Sequence, residues 1–253
     1  MKIITLLITL ITFGYANAQK IAAFSIAPTF EGNLMSTDGF GELNKILKKN
    51  NVYTIQNEFQ TNGIAISFSS RKKQKGVEIG YLHLHSYLYD STSQTNRAIH
   101  PLLTGTTYRI SFFWKLFETK RWYSNAAIGI FSTTLSFKLV DRKRQVFTLD
   151  SLIANPSLSP TLDLSQRNGS AGIDVYGGIY FKTKWLKKAF DDFDIGAKFG
   201  YSYTAAKGSQ WLVNGTINNF LVKDLPSVKI DNLYFQLSFL FKYNFIDMQK
   251  KKA

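Results

Sequence analysis

The only imidazoles in the chain are His83, His85 and His100. His83 and His85 lie two residues apart in a stretch of alternating polarity, so on a strand they share one face. Ser86 and Asp90 follow closely. The order His-Leu-His-Ser suits two chemistries: a pair of imidazole ligands for a transition metal, or an imidazole that activates a seryl hydroxyl. Both need more than the sequence supplies, because a ligand set needs a third donor and paired histidines at an interface need no chemistry to explain them. We therefore assign no catalytic, metal-binding or cofactor-binding residue and expect no cofactor. Gly172, Gly177 and Gly178 form no phosphate-cradling loop; they fall inside a predicted strand, where small residues relieve crowding. The chain has no cysteine, which excludes disulfides, thiolate metal sites and a lipid-modified N-terminal cysteine.

The elements that would carry these groups are strands. In the segment from Asp231 to Phe245, Leu233, Phe235, Leu237, Phe239, Phe241 and Tyr243 alternate with Tyr234, Gln236, Ser238, Leu240, Lys242 and Asn244. The pattern recurs: Ile64, Ile66 and Phe68 alternate with small residues, Ile173, Val175 and Ile179 with Asp174, Tyr176 and Gly178, and Ile195, Phe199 and Tyr201 with Asp194, Lys198 and Gly200. Period two with one apolar face predicts strands between two different environments. Eight such segments are predicted: Ile21–Phe30, Glu58–Ser70, Gly76–Tyr89, Leu102–Phe117, Trp122–Leu139, Asn168–Thr183, Phe193–Ala205 and Asp231–Phe245.

The chain opens with Lys2, an apolar run from Ile3 to Phe13 and the small-x-small site Ala16-Asn17-Ala18, the pattern of a cleavable export signal. Segments after odd-numbered strands are long (Glu31–Asn57, Asp90–Pro101, Val140–Arg167, Ala206–Ile230), and those after even-numbered strands are shorter (Arg71–Lys75, Glu118–Arg121, Lys184–Asp192). Export, an even strand number and alternating loop lengths predict an all-β fold: an eight-stranded antiparallel up-and-down transmembrane β-barrel with long outer loops and short periplasmic turns. The predicted division is residues 1–18 as signal peptide, 19–247 as outer-membrane barrel and 248–253 as a basic tail. The alternative, a soluble lipocalin-like barrel, would turn the apolar face inward; Gly, Ala and Ser on the polar face suit a narrow lumen better. A mean hydropathy of −0.11 beside 45% hydrophobic residues fits apolar residues that alternate rather than cluster.

By alternation, Glu78, Arg109, Lys115, Asp174, Lys198 and Lys242 point into that lumen with Tyr176, Tyr180 and Gln236. Charges in so narrow a space must pair or meet water, so the reading predicts a plugged polar core with small solvated pockets. With these features the chain resembles the small outer-membrane barrels of the OmpA/OmpX/OmpW type. That resemblance implies a monomer in the outer membrane of a Gram-negative-type bacterium, surrounded by outer-membrane lipids and inserted by the barrel-assembly machinery. One departure is that Phe245 is followed by Ile246, Asp247 and a Lys-rich tail. An assembly signal normally read at a terminal aromatic would have to be read internally, from Phe239, Phe241, Tyr243 and Phe245.

A net charge of +14 would suggest nucleic acid in a cytosolic protein; export argues for no nucleic-acid partner here. The basic residues gather instead in the predicted periplasmic turns and tail, at Arg71, Lys72, Lys73 and Lys75, Lys184, Lys187 and Lys188, and Lys250 to Lys252, where lipid phosphates or solvent would meet them. Glu31, Asp38 and Glu42 are assigned to the first outer loop against Lys45, Lys48 and Lys49. Leu43, Ile46 and Leu47 predict a short amphipathic helix over Gly41 to Asn50 in that loop, either capping the mouth or lying at the surface, and Trp185, Leu186, Ala189 and Phe190 a helical turn on the opposite side. The expected role is structural or interactive, exercised on a surface partner through the outer loops. The alternatives are a porin-like narrow pore for small solutes and a lipid-modifying barrel enzyme.

Overall fold

The computed structural model describes residues 23–35, 40–50, 54–55, 58–70, 74–86, 99–141, 161–183, 192–213, 221–222 and 225–244. The export signal, the predicted turn around Trp185 and the basic tail lie outside them, as do Asp90, Phe245 and most of the turn lysines. In chain order the elements are β1 (Ala23–Met35), α1 (Gly41–Lys49), β2 (Glu58–Ser70), β3 (Lys75–Ser86), β4 (Ile99–Glu118), β5 (Trp122–Asp141), β6 (Thr161–Asn168), β7 (Ser170–Thr183), β8 (Asp192–Ala206), β9 (Ser209–Val213), β10 (Leu221–Val222) and β11 (Asn232–Asn244).

Eight strands close an antiparallel barrel in the order β1-β2-β3-β4-β5-β7-β8-β11, with β11 returning to β1. Following the register once around fixes its geometry. Ser25 pairs with Ser67, then Glu78, Ser111, Gly129, Asp174, Ser202 and Asn232, and the circuit returns to β1 at Met35, ten residues along from its start. Ten residues of about 3.3 Å against eight strands about 4.8 Å apart tilt the strands by about 40°. The predicted bounds of β2 are met; β1 runs on past Phe30, β4 starts earlier at Ile99, and β5 continues to Asp141.

Two of the segments read as irregular loops contain strands. β6 pairs with the far end of β5, β9 with β6 and β10 with β9, so a three-stranded extension stands above the barrel at its long-loop end. β9 and β10 are only five and two residues long, and β6 is held only by the far end of β5 and by β9, so the sequence carried little signal for them.

Alternation follows the pleat. Phe30, Ile64, Ile179, Phe199, Phe235 and Leu237 are exposed on the outside, while Thr29, Asp174, Lys198, Gln236 and Ser238 are buried inside. The apolar set Leu233 to Tyr243 on β11 spans about 25 Å along the barrel axis at this tilt, the height of a hydrocarbon belt. Inside, tyrosine rings lie over glycines on the neighbouring strand. A Cβ at Gly196 would fall 2.4 Å from the Tyr180 ring, and one at Gly200 2.4 Å from the Tyr234 ring. Of the glycines assigned to lumen crowding, Gly172 and Gly178 are hemmed in by neighbours, but Gly177 is on the outer face with open space beside it.

Candidate functional site

Three ion clusters follow one another down the lumen, marked on β8 by Ser202, Lys198 and Asp194, the first buried and the other two reaching the short-turn end. In the first, Arg109 donates to both carboxylate oxygens of Glu31, at 2.8 and 3.2 Å, and its Nε lies 3.6 Å from Asp174. Asp174 also accepts from the Ser202 hydroxyl at 2.6 Å and from Tyr234 at 3.1 Å, and the guanidinium stacks 4.2 Å from the Tyr234 ring. In the second, Lys198 and the Tyr176 hydroxyl both donate to Glu78 Oε1, at 2.5 and 3.2 Å. In the third, Lys242 pairs with Asp194 and donates to the Tyr123 hydroxyl at 3.0 Å. Five of the six predicted lumen charges, Glu78, Arg109, Asp174, Lys198 and Lys242, are therefore matched here.

One assignment changes. Glu31 is not a loop residue: β1 extends through it, and its carboxylate is buried as the partner of Arg109. Lys115 lines the lumen at its short-turn end, partly exposed, and there it and Lys182 bind Glu118 at 2.7 and 2.5 Å. Burial at Glu118 opposes ionisation, but the hydrogen bonds and charges of the two lysines outweigh it and hold the carboxyl at about 2. Here the lumen opens into a cavity of ≈ 360 Å³, lined by Ser25, Ser67, Glu78, Asn125, Tyr180 and Asp194 among others.

The opposite end is closed differently. Leu84, Leu103 and Leu135 fill the lumen, and Phe40, just before α1, and Leu43 and Leu47 of α1 pack onto the same cluster with Phe59, Phe137, Leu164 and Trp211. Asn44 fixes the helix over the opening by donating to the Ile55 carbonyl and accepting from its N–H, both at 2.9 Å. The predicted helix is present as α1, and it caps this end. The inward-turned Leu84, Leu103 and Leu135 beneath it, an apolar lid on the polar core, were not predicted.

The lid explains the histidines. Toward the long loops the polarity of β2 to β5 inverts: Phe59, Leu84, Leu103 and Leu135 turn inward, whereas Gln60, His83, His85, Thr104, Thr106 and Ser136 lie on the outer face. The His83 and His85 rings meet edge to face with centroids 4.1 Å apart. Their cross-strand neighbours are Asn62 and Thr106, and Gln60 and Thr104, which offer no base. Ser86 ends β3, and His100 lies on β4, at the strand position paired with Val140. Among the described residues no group of three or more His, Cys, Asp or Glu is placed to hold a metal.

An apolar exterior around a charged, side-chain-filled interior defines a transmembrane β-barrel, the inverse of a soluble one. No protein-family model and no curated protein sequence matches the chain. Among solved structures it is similar to the attachment invasion locus protein Ail of Yersinia pestis (9% identity, 88% of this chain and 99% of that one, TM-score 0.45). It is likewise similar to Neisserial surface protein A (13%, 88% and 99%, 0.46) and to a major outer membrane protein of Thermus thermophilus (9%, 87% and 99%, 0.47).

Proposed function

We propose that the protein is a monomeric outer-membrane barrel of a Gram-negative-type cell, exported by residues 1–18, whose lumen is sealed and whose role is structural or interactive at its long-loop face. The observation that carries this reading is the lid: Leu103 and Leu135 are 0% exposed above a cluster in which Glu31 and Asp174 share the Arg109 guanidinium and Asp174 also accepts from Ser202 and Tyr234. An ion passing this way would have to break that cluster and cross an apolar layer. Beyond the lid, the β6–β9–β10 extension and α1 form the long-loop face of the barrel, which offers the surface for a partner.

The cavity at the short-turn end favours one other reading, that it is the inner vestibule of a narrow pore. Planar-bilayer recording on the purified full chain separates the two. A sealed barrel gives no stepwise conductance, and stable unitary steps from folded protein would establish the pore.

A further inference from the structure

Gly32 interrupts the apolar exterior of β1 between Phe30 and Leu34, both more than half exposed. Its cross-strand neighbours are Phe235 on β11 and Gln60 on β2, and a Cβ placed there would meet nothing within 4 Å. The missing side chain leaves a groove of ≈ 400 Å³ on the outer wall. Phe30, Phe235 and Leu237 line it along β1 and β11 and Asn62, Gln60 and His85 along β2 and β3, with Asn62 paired to Phe30 and Gln60 and His85 nearer the long loops; Glu31 and Thr61 complete the lining.

We propose that this groove binds a membrane lipid, with one acyl chain over Gly32 against Phe30, Phe235 and Leu237 and its ester-linked neck against Gln60, Asn62 and His85. The inference rests on the reading that the outer apolar belt faces hydrocarbon. The groove is continuous with that belt and crosses its upper edge, where β2 to β5 invert their polarity, so beside the apolar wall on β1 and β11 a polar wall rises from Asn62 through Gln60 to His85 toward the long loops. The neck residues are carboxamides and an imidazole. Uncharged donors match ester carbonyl and hydroxyl oxygens, whereas a phosphate site would call for Arg or Lys, and neither lines this groove. Because bilayer lipid tails are already in hydrocarbon, seating the chain gains little from desolvation. Selectivity therefore comes from the fit over Gly32 and from the neck hydrogen bonds.

The test reconstitutes the full chain into vesicles of ester-linked phosphatidylethanolamine and phosphatidylglycerol, extracts it into mild detergent and counts retained lipids by native mass spectrometry. Wild type should retain a single lipid, and Gly32→Phe, which fills the groove from a position with room for a side chain, should lose it while still folding. Gln60→Leu and Asn62→Leu should each lower retention about fivefold, the factor corresponding to one ordinary hydrogen bond of about 1 kcal/mol. Ether-linked analogues should be retained more weakly by a similar factor. Equal retention by wild type and Gly32→Phe would overturn the proposal. So would a bare wild-type barrel, or a wild-type dimer that these substitutions dissociate, which would make the groove an interface between copies. A chain that never inserts into the vesicles would instead overturn the membrane reading beneath it.

Discussion

Replacing Arg109 by Met tests whether the lumen is held by its charges. The guanidinium makes two hydrogen bonds to Glu31 and faces Asp174 at 3.6 Å, and the Arg109, Glu31 and Asp174 side chains are 8%, 1% and 0% exposed. Met preserves much of the volume but leaves two carboxylates without their cation. Removing one partner of a buried pair costs about 3–5 kcal/mol, and the second stranded carboxylate places Arg109→Met at the upper end of that range. Glu31→Gln leaves Arg109 facing Asp174 and replaces a charged hydrogen bond with a neutral one, so its expected cost is smaller, about 1–3 kcal/mol. In the double variant the costs should not add, because Glu31 no longer needs the cation. Urea titration of folded barrels in detergent micelles, comparing midpoints at a common slope, measures all three. An Arg109→Met barrel within about 1 kcal/mol of wild type, or strictly additive costs, would refute the reasoning.

Phe199→Arg and Leu237→Arg, placed on the outer apolar face, should each destabilise the barrel by about 2–4 kcal/mol in lipid; folding titrations in vesicles check this. Glu118 is held at about 2, below the ordinary carboxylate range, so its pairing with Lys115 and Lys182 favours the folded state above about pH 4.5 and is lost as pH falls toward 2. Because that side chain is 37% exposed, the effect should be small and weakened by salt, and Glu118→Gln should flatten the stability profile in that window. An epitope inserted near Asn155 or Asn218 should be reached by antibody on intact cells and one at Gln74 should not; the reverse labelling would invert the topology. Changing His83 and His85 together to Gln should leave protein abundance, the lipid A pattern and zinc retention unaltered, and loss of a lipid modification or of stoichiometric metal would restore them as a site.

The barrel wall was legible because each spanning strand meets two environments, so the residues around Ile64, Ile173 and Phe199 carry a period-two signal that local sequence alone reveals. The lumen charges followed from the same phase. What the phase could not show was where it inverts: at Gln60, His83 and Thr104 polar residues turn outward because the barrel leaves the apolar belt, while Phe59, Leu84 and Leu103 turn inward to a lid supplied from a distant helix. A switch from polar to apolar along the lumen face of β3, Glu78 to Leu84, was the available signal. Glu31 was missed for a similar reason, since the partner that draws β1 onward, Arg109, is distant in sequence.

The most direct test of an inside-out barrel uses the absence of cysteine from the chain. Single cysteines introduced in turn from Leu233 to Lys242 on β11, spin-labelled in lipid vesicles, report access to oxygen dissolved in the bilayer. The account predicts high access at Leu233, Phe235, Leu237, Phe239 and Phe241 and low access at Tyr234, Gln236, Ser238, Leu240 and Lys242, with period two. High access at the second set, or no alternation along the strand, would contradict it.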